Sequence, residues 1–243
     1  MTSPTLTDAG ASVVIPAYNE AERIEATVRA AAQIDSVDVV VVVDDGSGDE
    51  TSTKAQTAGA HVVRAGRNAG KAAALRLGAD AVARLERRAG VTPRPMLFLD
   101  ADLRETASVA GVLLAPLRDG EADMTIATLP AQPGGGRGLV VGLAREGIEE
   151  ATGFSARQPL SGQRALTRAA FSAALPLADG FGVEVGLTID LLRAGFRVLE
   201  VPVPLHHRVT GKDWRAQVHR GRQFYAVWRA LRERGVGPAF PLP

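Results

Sequence analysis

The chain has no cysteine. That excludes disulfides, a thiolate nucleophile and thiolate-bound zinc. Aromatic residues are 5% of the 243 positions, too few to point to any function by themselves. The net charge is only +1, from 28 basic and 27 acidic residues, so nothing draws the chain as a whole towards nucleic acid. No apolar run is long enough to span a bilayer. Val37 to Val43 is strongly apolar but short and β-branched, as expected of a central parallel strand. Met1 to Gly10 lacks the basic and apolar regions of a signal peptide. A soluble cytoplasmic protein is the expectation. What is present is 46% apolar residues, enough for one substantial core or two fused lobes.

The first half alternates strand and helix signals. Strands are predicted at Ser12–Ile15, Val37–Val43, His61–Arg64, Met96–Leu99 and Asp123–Thr128. Between them, Asn19 with Glu22 reads as a capping box for a helix to about Gln33. Helices follow at about Glu50–Ala58, closed by Gly59, at Ala69–Arg88, and at Thr106–Arg118. This order predicts an α/β fold with a doubly wound, mostly parallel sheet. The pattern changes at Pro130. Ala131 to Gly138 is rich in Gly and Pro and reads as a mobile loop. Helices at Leu139–Ala151 and Val183–Arg193, short strands at Gln163–Thr167 and Phe196–Val203, and an amphipathic helix at Asp213–Arg234, with Trp214, Val218, Gly221, Tyr225, Trp228 and Leu231 on one apolar stripe, complete the chain. Pro202 puts the last strand at a sheet edge or strand end.

The run Leu97-Phe98-Leu99-Asp100-Ala101-Asp102 places two carboxylates at the carboxyl end of a predicted buried strand. In open α/β sheets ligands bind at that edge. Neighbouring carboxylates repel unless a cation neutralises them. Mg²⁺ is commonly held by one or two carboxylates plus substrate phosphates. The plain structural alternative is a helix cap and a solvated turn acid. Gly66-Arg67-Asn68-Ala69-Gly70-Lys71 offers backbone N–H groups and a lysine at a helix start, which suit a phosphate. It lacks the spacing of a P-loop.

Val14-Ile15-Pro16-Ala17-Tyr18-Asn19-Glu20, Val43-Asp44-Asp45-Gly46-Ser47 and Asp100-Ala101-Asp102 occur in that order. Together they resemble the nucleotide-sugar half of family-2 glycosyltransferases with the Rossmann-like GT-A fold. The resemblance implies a mostly parallel sheet flanked by helices, with a smaller acceptor-binding half. It implies one GT-A domain over 1–243, with a nucleotide-sugar half at 11–128, an acceptor half at 129–212 and a helix and tail at 213–243. Pro16, Ala17, Tyr18, Glu20, Asp45, Lys71, Asp100 and Ala101 would line the nucleotide-sugar. Asp45 would accept a base N–H and Glu20 the ribose hydroxyls, roles that suit an acceptor-only carboxylate. Helix capping is the competing role, and it suits Asp44 better than Asp45.

The second half resembles two branches of that family: dolichyl- or polyprenyl-phosphate sugar synthases, and the retaining glucosyl-3-phosphoglycerate synthases. Gln158-Pro159-Leu160-Ser161-Gly162-Gln163-Arg164-Ala165 and Gly180-Phe181-Gly182-Val183-Glu184-Val185-Gly186-Leu187 look most like the second. By that resemblance Glu184 faces the donor sugar or acceptor and serves with Asp102 as a catalytic residue, and Gly162 lies at the acceptor. His207 would join Asp100 and Asp102 as a metal ligand, for Mg²⁺ or Mn²⁺. Arg208 and Lys212 would neutralise the diphosphate. The synthases' G-R-V-T acceptor segment reads Gly136-Arg137-Gly138-Leu139 here. Arg137 could grip an acidic acceptor, but the threonine hydroxyl is missing.

The function expected is metal-dependent transfer of a sugar, as by a hexosyltransferase, from a nucleoside-diphosphate sugar. The donor expected is a UDP-sugar, with the choice between UDP and GDP left open. The acceptor is a small molecule or a lipid phosphate, with no nucleic acid partner. An inverting enzyme acting on a hydroxyl would need a base, for which Glu184 and Asp179 are the candidates. Peripheral membrane contact through the basic C-terminal helix and a homodimer are left open. Rival classes are a sugar-phosphate nucleotidyltransferase, whose Gly-rich loop is missing after the first strand, and a non-catalytic nucleotide-sugar-binding protein.

Overall fold

The computed structural model describes residues 6–130, 138–204 and 214–237, with the side chains of 214–220 outside that description. A single sheet of seven strands runs through it in the order β3-β2-β1-β4-β6-β5-β7. These are β1 (Ala11–Ala17), β2 (Val37–Asp44), β3 (His61–Arg64), β4 (Met96–Phe98), β5 (Met124–Thr128), β6 (Arg164–Leu166) and β7 (Val198–Pro202). β1 to β4 are mutually parallel, β5 is parallel to β7, and β6 runs antiparallel between β4 and β5. The mixed α/β sheet flanked by helices is the expected one. Pro202 ends the edge strand β7.

The valine-rich strands are buried on both faces. Val13, Ile15, Val40 and Val42 pack into one core, while Val14, Val41 and Val43 pack into the core on the opposite side. That alternation follows from the two-residue period of a strand. The first core is roofed by α1 (Ile24–Ala31) and a 3-10 helix at Arg104–Leu114, which leads into α4 (Ala115–Arg118). The second is covered by α3 (Lys71–Ala89), α6 (Arg168–Ala173) and α7 (Val183–Arg193). α2 (Thr51–Thr57) follows β2. A third cluster joins Ala144 and Ile148 of α5 (Leu139–Thr152) to Val185 and Ile189 of α7 and to Val227 and Leu231 of α8 (Trp214–Glu233).

Three expectations are corrected. Asn19 does not cap a helix. It sits at a left-handed φ of 56°, its Oδ1 accepts from Gly48 N at 2.9 Å, and α1 starts only at Ile24. Asn tolerates that conformation, so the residue joins the β1 and β2 loops instead. The segment expected as an α-helix from Thr106 is mainly 3-10. Its buried Ala107, Ala110 and Leu113 recur every three residues, the period of that helix.

The buried face of α8 is the third correction. Trp214, Val218, Gly221, Tyr225, Trp228 and Leu231 read as one stripe, but Tyr225 is 60% exposed while Val227, Ala230 and Leu231 are buried. Two close approaches fix this face. A Cβ at Gly182 would lie 2.7 Å from Ala226 O and from Ala230 Cβ, and one at Gly147 would overlap Leu231. The side chains of Trp214 and Val218 lie outside the described residues. The loop expected at 131–138 does too, apart from Gly138, which precedes α5.

Candidate active site

β1, β2 and β4 are adjacent and parallel, so their carboxyl ends share one edge. β1 pairs with β4 only through Val14, whereas its pairing with β2 continues to Ala17 and Asp44. Pro16 therefore lies where β1 has a free side, which tolerates its missing N–H. Beyond it Tyr18 is 49% exposed. The next pairing step, Asp45 N to Ala17 O at 2.8 Å, holds the two strand ends together.

Asp45 is buried. Its Oδ1 accepts from Ala69 N at 2.9 Å and its Oδ2 from Gly70 N at 2.7 Å. It thus ties the 66–70 loop to the end of β2, and an ionised carboxylate with two such bonds retains acceptor capacity. Asp44 is fully buried and structural: it accepts from Ser47 N at 2.8 Å and from the hydroxyl of Ser52 on α2. Burial would raise its pKa, but the Ser47 and Ser52 bonds, helped by the Arg64 charge, outweigh it and hold the carboxyl below its usual range.

Glu20 is anchored by its own N–H, which donates to Thr51 Oγ1 at 2.8 Å, and its carboxylate pairs with Arg23. Burial pushes the Glu20 carboxyl up; Arg23 opposes this, and the Asp102 and Asp49 charges add to it. Asp102 thus acts on Glu20 from the end of β4 and, by its charge, on Arg23 as well. Between Asp100 and Asp102, Ala101 is buried and its carbonyl accepts from Thr27 Oγ1 at 2.8 Å.

The densest cluster forms around Lys71, the first residue of α3. Its Nζ lies 2.8 Å from Asp100 Oδ1 and 2.8 Å from Glu184 Oε1. Gln163 Nε2 donates to Asp100 Oδ2 at 2.6 Å. Burial would lower the Lys71 ammonium pKa, but the Asp100 and Glu184 carboxylates outweigh it and hold the group above its ordinary range. Gly162 forms the wall beside it. A Cβ there would fall on Lys71 Nζ and within 2.8 Å of both Asp100 oxygens. Glu184 is 7% exposed and lies in the first turn of α7. Asp179, the other candidate base, is bound instead to Arg229 of α8 at 3.3 Å.

The structure therefore brings Pro16, Ala17, Tyr18, Glu20, Asp45, Lys71, Asp100, Ala101, Asp102, Gly162 and Glu184 to one region along the carboxyl edge. Arg137, His207, Arg208 and Lys212 lie outside the described residues. Sequence reasoning gave no role to Gln163, which bonds to Asp100, or to Arg23, which pairs with Glu20. A polar residue at a buried position of the short β6 region was the available signal for Gln163.

Among the described residues no group of three or more His, Asp or Glu converges as a metal cage. The donors do fit a hard divalent cation. Asp100 and Asp102 are partly exposed carboxylates at one strand end, and such ions take few carboxylates when phosphates complete the shell. Lys71 pairs with Asp100 and Glu184, and Arg23 with Glu20, in a region that also holds Asp45, Asp49 and Asp102. An anionic ligand entering there needs added positive charge.

An open mixed sheet that gathers paired carboxylates at its carboxyl edge, beside a basic helix start, is the architecture of a GT-A glycosyltransferase. The family model for glycosyl transferase family 2 matches residues 12–174, and the chain belongs to that family. It is 33% identical over 210 residues to glycosyltransferase AglJ of Haloferax volcanii, covering 83% of this chain and 64% of the relative. It is 30% identical over 203 residues to glucosyl-3-phosphoglycerate synthase of Mycobacterium tuberculosis, covering 74% of this chain and 60% of that protein. The chain thus matches a little over three fifths of these relatives' length at most.

Among solved structures, the Mycobacterium tuberculosis synthase in complex with Mn²⁺, uridine diphosphate and phosphoglyceric acid superposes with a TM-score of 0.76 at 29% identity. That match covers 95% of this chain and 80% of the other. The same synthase with Mg²⁺ and uridine diphosphate gives 0.76 at 28% identity, covering 95% and 81%. No described helix is long and apolar enough to cross a membrane. The described arginines near the end of α8 are engaged. Arg229 pairs with Glu233 and Asp179, Arg234 pairs with Asp190, and Arg232 lies over the Trp228 ring.

Proposed function

We propose that this chain transfers a hexose from a UDP-sugar, with UDP-glucose the first donor to test, to a small acceptor bearing anionic groups. The observation that carries the reading is the meeting of Lys71, Asp100 and Glu184 at 2.8 Å contacts beside Asp102, on the edge that also presents Asp45 and Glu20. The names of the similar solved structures, with uridine diphosphate, Mn²⁺ or Mg²⁺ and phosphoglyceric acid, support the same ligand classes. In this reading 11–128 forms the nucleotide-sugar half, 129–212 the acceptor half and 213–243 the C-terminal helix and tail. The protein works in the cytoplasm.

Each residue then has a physical task. Asp45 uses its remaining acceptor capacity for a base N–H, and Tyr18 covers the base from its exposed position beyond β1. Pro16 and Ala17 line that pocket. Glu20 accepts ribose hydroxyls, and Lys71 faces the diphosphate. Asp100 and Asp102, with His207, would hold Mg²⁺ or Mn²⁺, which when bound neutralises the leaving diphosphate. Arg208 and Lys212 add charge there, and Arg137 with the Gly162 wall receives the acceptor.

In the transfer the bond from the sugar's anomeric carbon to the diphosphate oxygen breaks and its electron pair leaves with UDP. A new bond forms from that carbon to an acceptor oxygen; where that oxygen is a hydroxyl its proton passes to the departing diphosphate, and an ionised phosphate oxygen has none to lose. Glu184, held with Oε1 2.8 Å from Lys71 Nζ, presents its carboxylate as a hydrogen-bond acceptor to a hydroxyl of the sugar or acceptor.

The test is calorimetric binding of UDP, GDP and ADP with Mn²⁺, followed by UDP release from UDP-glucose with 3-phosphoglycerate or a short polyprenyl phosphate as acceptor. Selective UDP binding and acceptor-stimulated release are expected. Absence of UDP binding with either Mn²⁺ or Mg²⁺ contradicts the reading.

A further inference from the structure

We infer that Arg164 is a positioning residue that holds the Pro159–Gly162 wall of the active site at a fixed spacing from Glu184. This rests on the proposed transfer site and adds to it a residue that touches neither donor nor acceptor. Arg164 opens β6 and its side chain is fully buried. Its Nε donates to Ser161 O at 2.8 Å and its Nη2 to Pro159 O at 3.0 Å, so one guanidinium ties down two carbonyls of the wall. Its Nη1 donates to Thr188 Oγ1 at 2.9 Å on α7. Thr188 Oγ1 in turn donates to Glu184 O at 2.8 Å, one turn back. A continuous chain of hydrogen bonds thus runs from the wall through Arg164 to the residue that binds Lys71.

A packing role alone does not account for this side chain. A buried guanidinium is costly to desolvate, and an apolar side chain of similar volume is often at least as stabilising. The described carboxylates act on Arg164 only through space: Glu184 and Glu200 pull its pKa up, while burial, the larger effect, pushes it down to about 10. All of its strong bonds go to neutral oxygens that define the wall and α7. The planar fork of donors suits that task, and lysine cannot reproduce it. The wall's position matters because Gly162 lies against Lys71 and Asp100 with no room for a Cβ. A shift of the wall changes the gap in which sugar and acceptor meet Glu184, and misplacement of this kind affects the transfer step more than ligand binding.

The experiment uses the full chain with Mn²⁺ and three variants: Arg164→Met, Arg164→Lys and Thr188→Val. Three quantities are read: UDP affinity by calorimetry, the rate of UDP release from UDP-glucose, and amide exchange by mass spectrometry. Arg164→Met is expected to keep UDP affinity within about twofold and to slow UDP release at least about tenfold. Arg164→Lys is expected to recover only a minor part of that rate. Thr188→Val, which spares both bonds to the wall, is expected to slow release by about threefold. Both Arg164→Met and Thr188→Val should speed exchange in 159–163 and 183–188 while β1 and β2 keep native rates. Native exchange in those two segments overturns the inference, as does faster exchange spread evenly over the chain. Should Arg164→Met not fold, Thr188→Val decides by the same exchange criterion. Native protein that binds no UDP contradicts the proposed function instead, and the exchange readout stands without it.

Discussion

Lys71 and Glu184 come from opposite halves of the sequence and meet with Nζ 2.8 Å from Oε1. Lys71 starts α3 in the first half of the chain, and Glu184 stands in the first turn of α7 in the second. Their contact, shared with Asp100, closes the site between the two. The pair is only partly exposed, so loss of one partner leaves the other poorly compensated. Lys71→Met is expected to cut UDP release from UDP-glucose by at least about tenfold, the usual scale for removing an electrostatic contact made in the transition state. Steady-state assays check this, and native turnover from the variant removes Lys71 from the chemistry.

Gly162→Ala tests the same centre from the wall. The new Cβ would collide with Lys71 Nζ and crowd both Asp100 oxygens. The lysine end can move, so the fold should survive with a melting temperature near native while turnover falls. Equal turnover would show that the Lys71–Asp100 contact is dispensable.

Asp45 does two jobs, and its replacement should reveal both. Asp45→Ala removes the acceptor for Ala69 N and Gly70 N as well as the proposed base contact. UDP binding should weaken by about 1–3 kcal/mol, the scale for losing a hydrogen bond to a charged group. Calorimetric titration of UDP into both proteins reads the difference. Equal affinities would make Asp45 a loop anchor only.

Asp44 has a folded-state pKa held below its usual value. A depressed carboxyl contributes stability that is present above the unfolded pKa, about 3.9, and lost as pH falls through the folded pKa. Asp44→Asn should therefore cost about 1–3 kcal/mol at pH 7. The gap to the native protein should shrink as pH drops from about 5 towards 3. Denaturant unfolding across that range tests the sign, and a gap independent of pH contradicts it.

The face of α8 gives a stability prediction. Leu231 is 1% exposed and Tyr225 is 60% exposed. Leu231→Ala should cost about 2–4 kcal/mol, the range for a large-to-small change in a core. Tyr225→Ala should cost well under about 1 kcal/mol, as surface changes usually do. Comparable losses from both would restore the face that the sequence pattern indicated.

Much of the sheet was legible because the β-branched runs of β1 and β2 leave few alternatives, and the β3 and α7 limits agree with those expected. Asp100, Asp102 and Asp45 were legible as strand-end acids for the same reason. What could not be read depends on partners distant in sequence. Asn19 looks like a cap until Gly48 is placed beside it. The turn of α8 depends on where Gly147 and Gly182 let it approach. α6 was missed although Thr167 caps it, Oγ1 accepting from Ala170 N at 3.2 Å, because a six-residue helix carries little periodicity. The task of Arg164 appears only once β6, the 159–162 wall and α7 are packed together.

The central claim is that the acids at the end of β4 bind a nucleoside diphosphate through a divalent cation. The most direct measurement is calorimetric titration of UDP into native protein and Asp102→Asn, each with Mn²⁺ and with EDTA. The account predicts tight binding only for native protein with the ion, with the variant close to the EDTA level and its melting temperature unchanged. UDP binding that is equal with Mn²⁺ and with EDTA, and equal in Asp102→Asn, would contradict it.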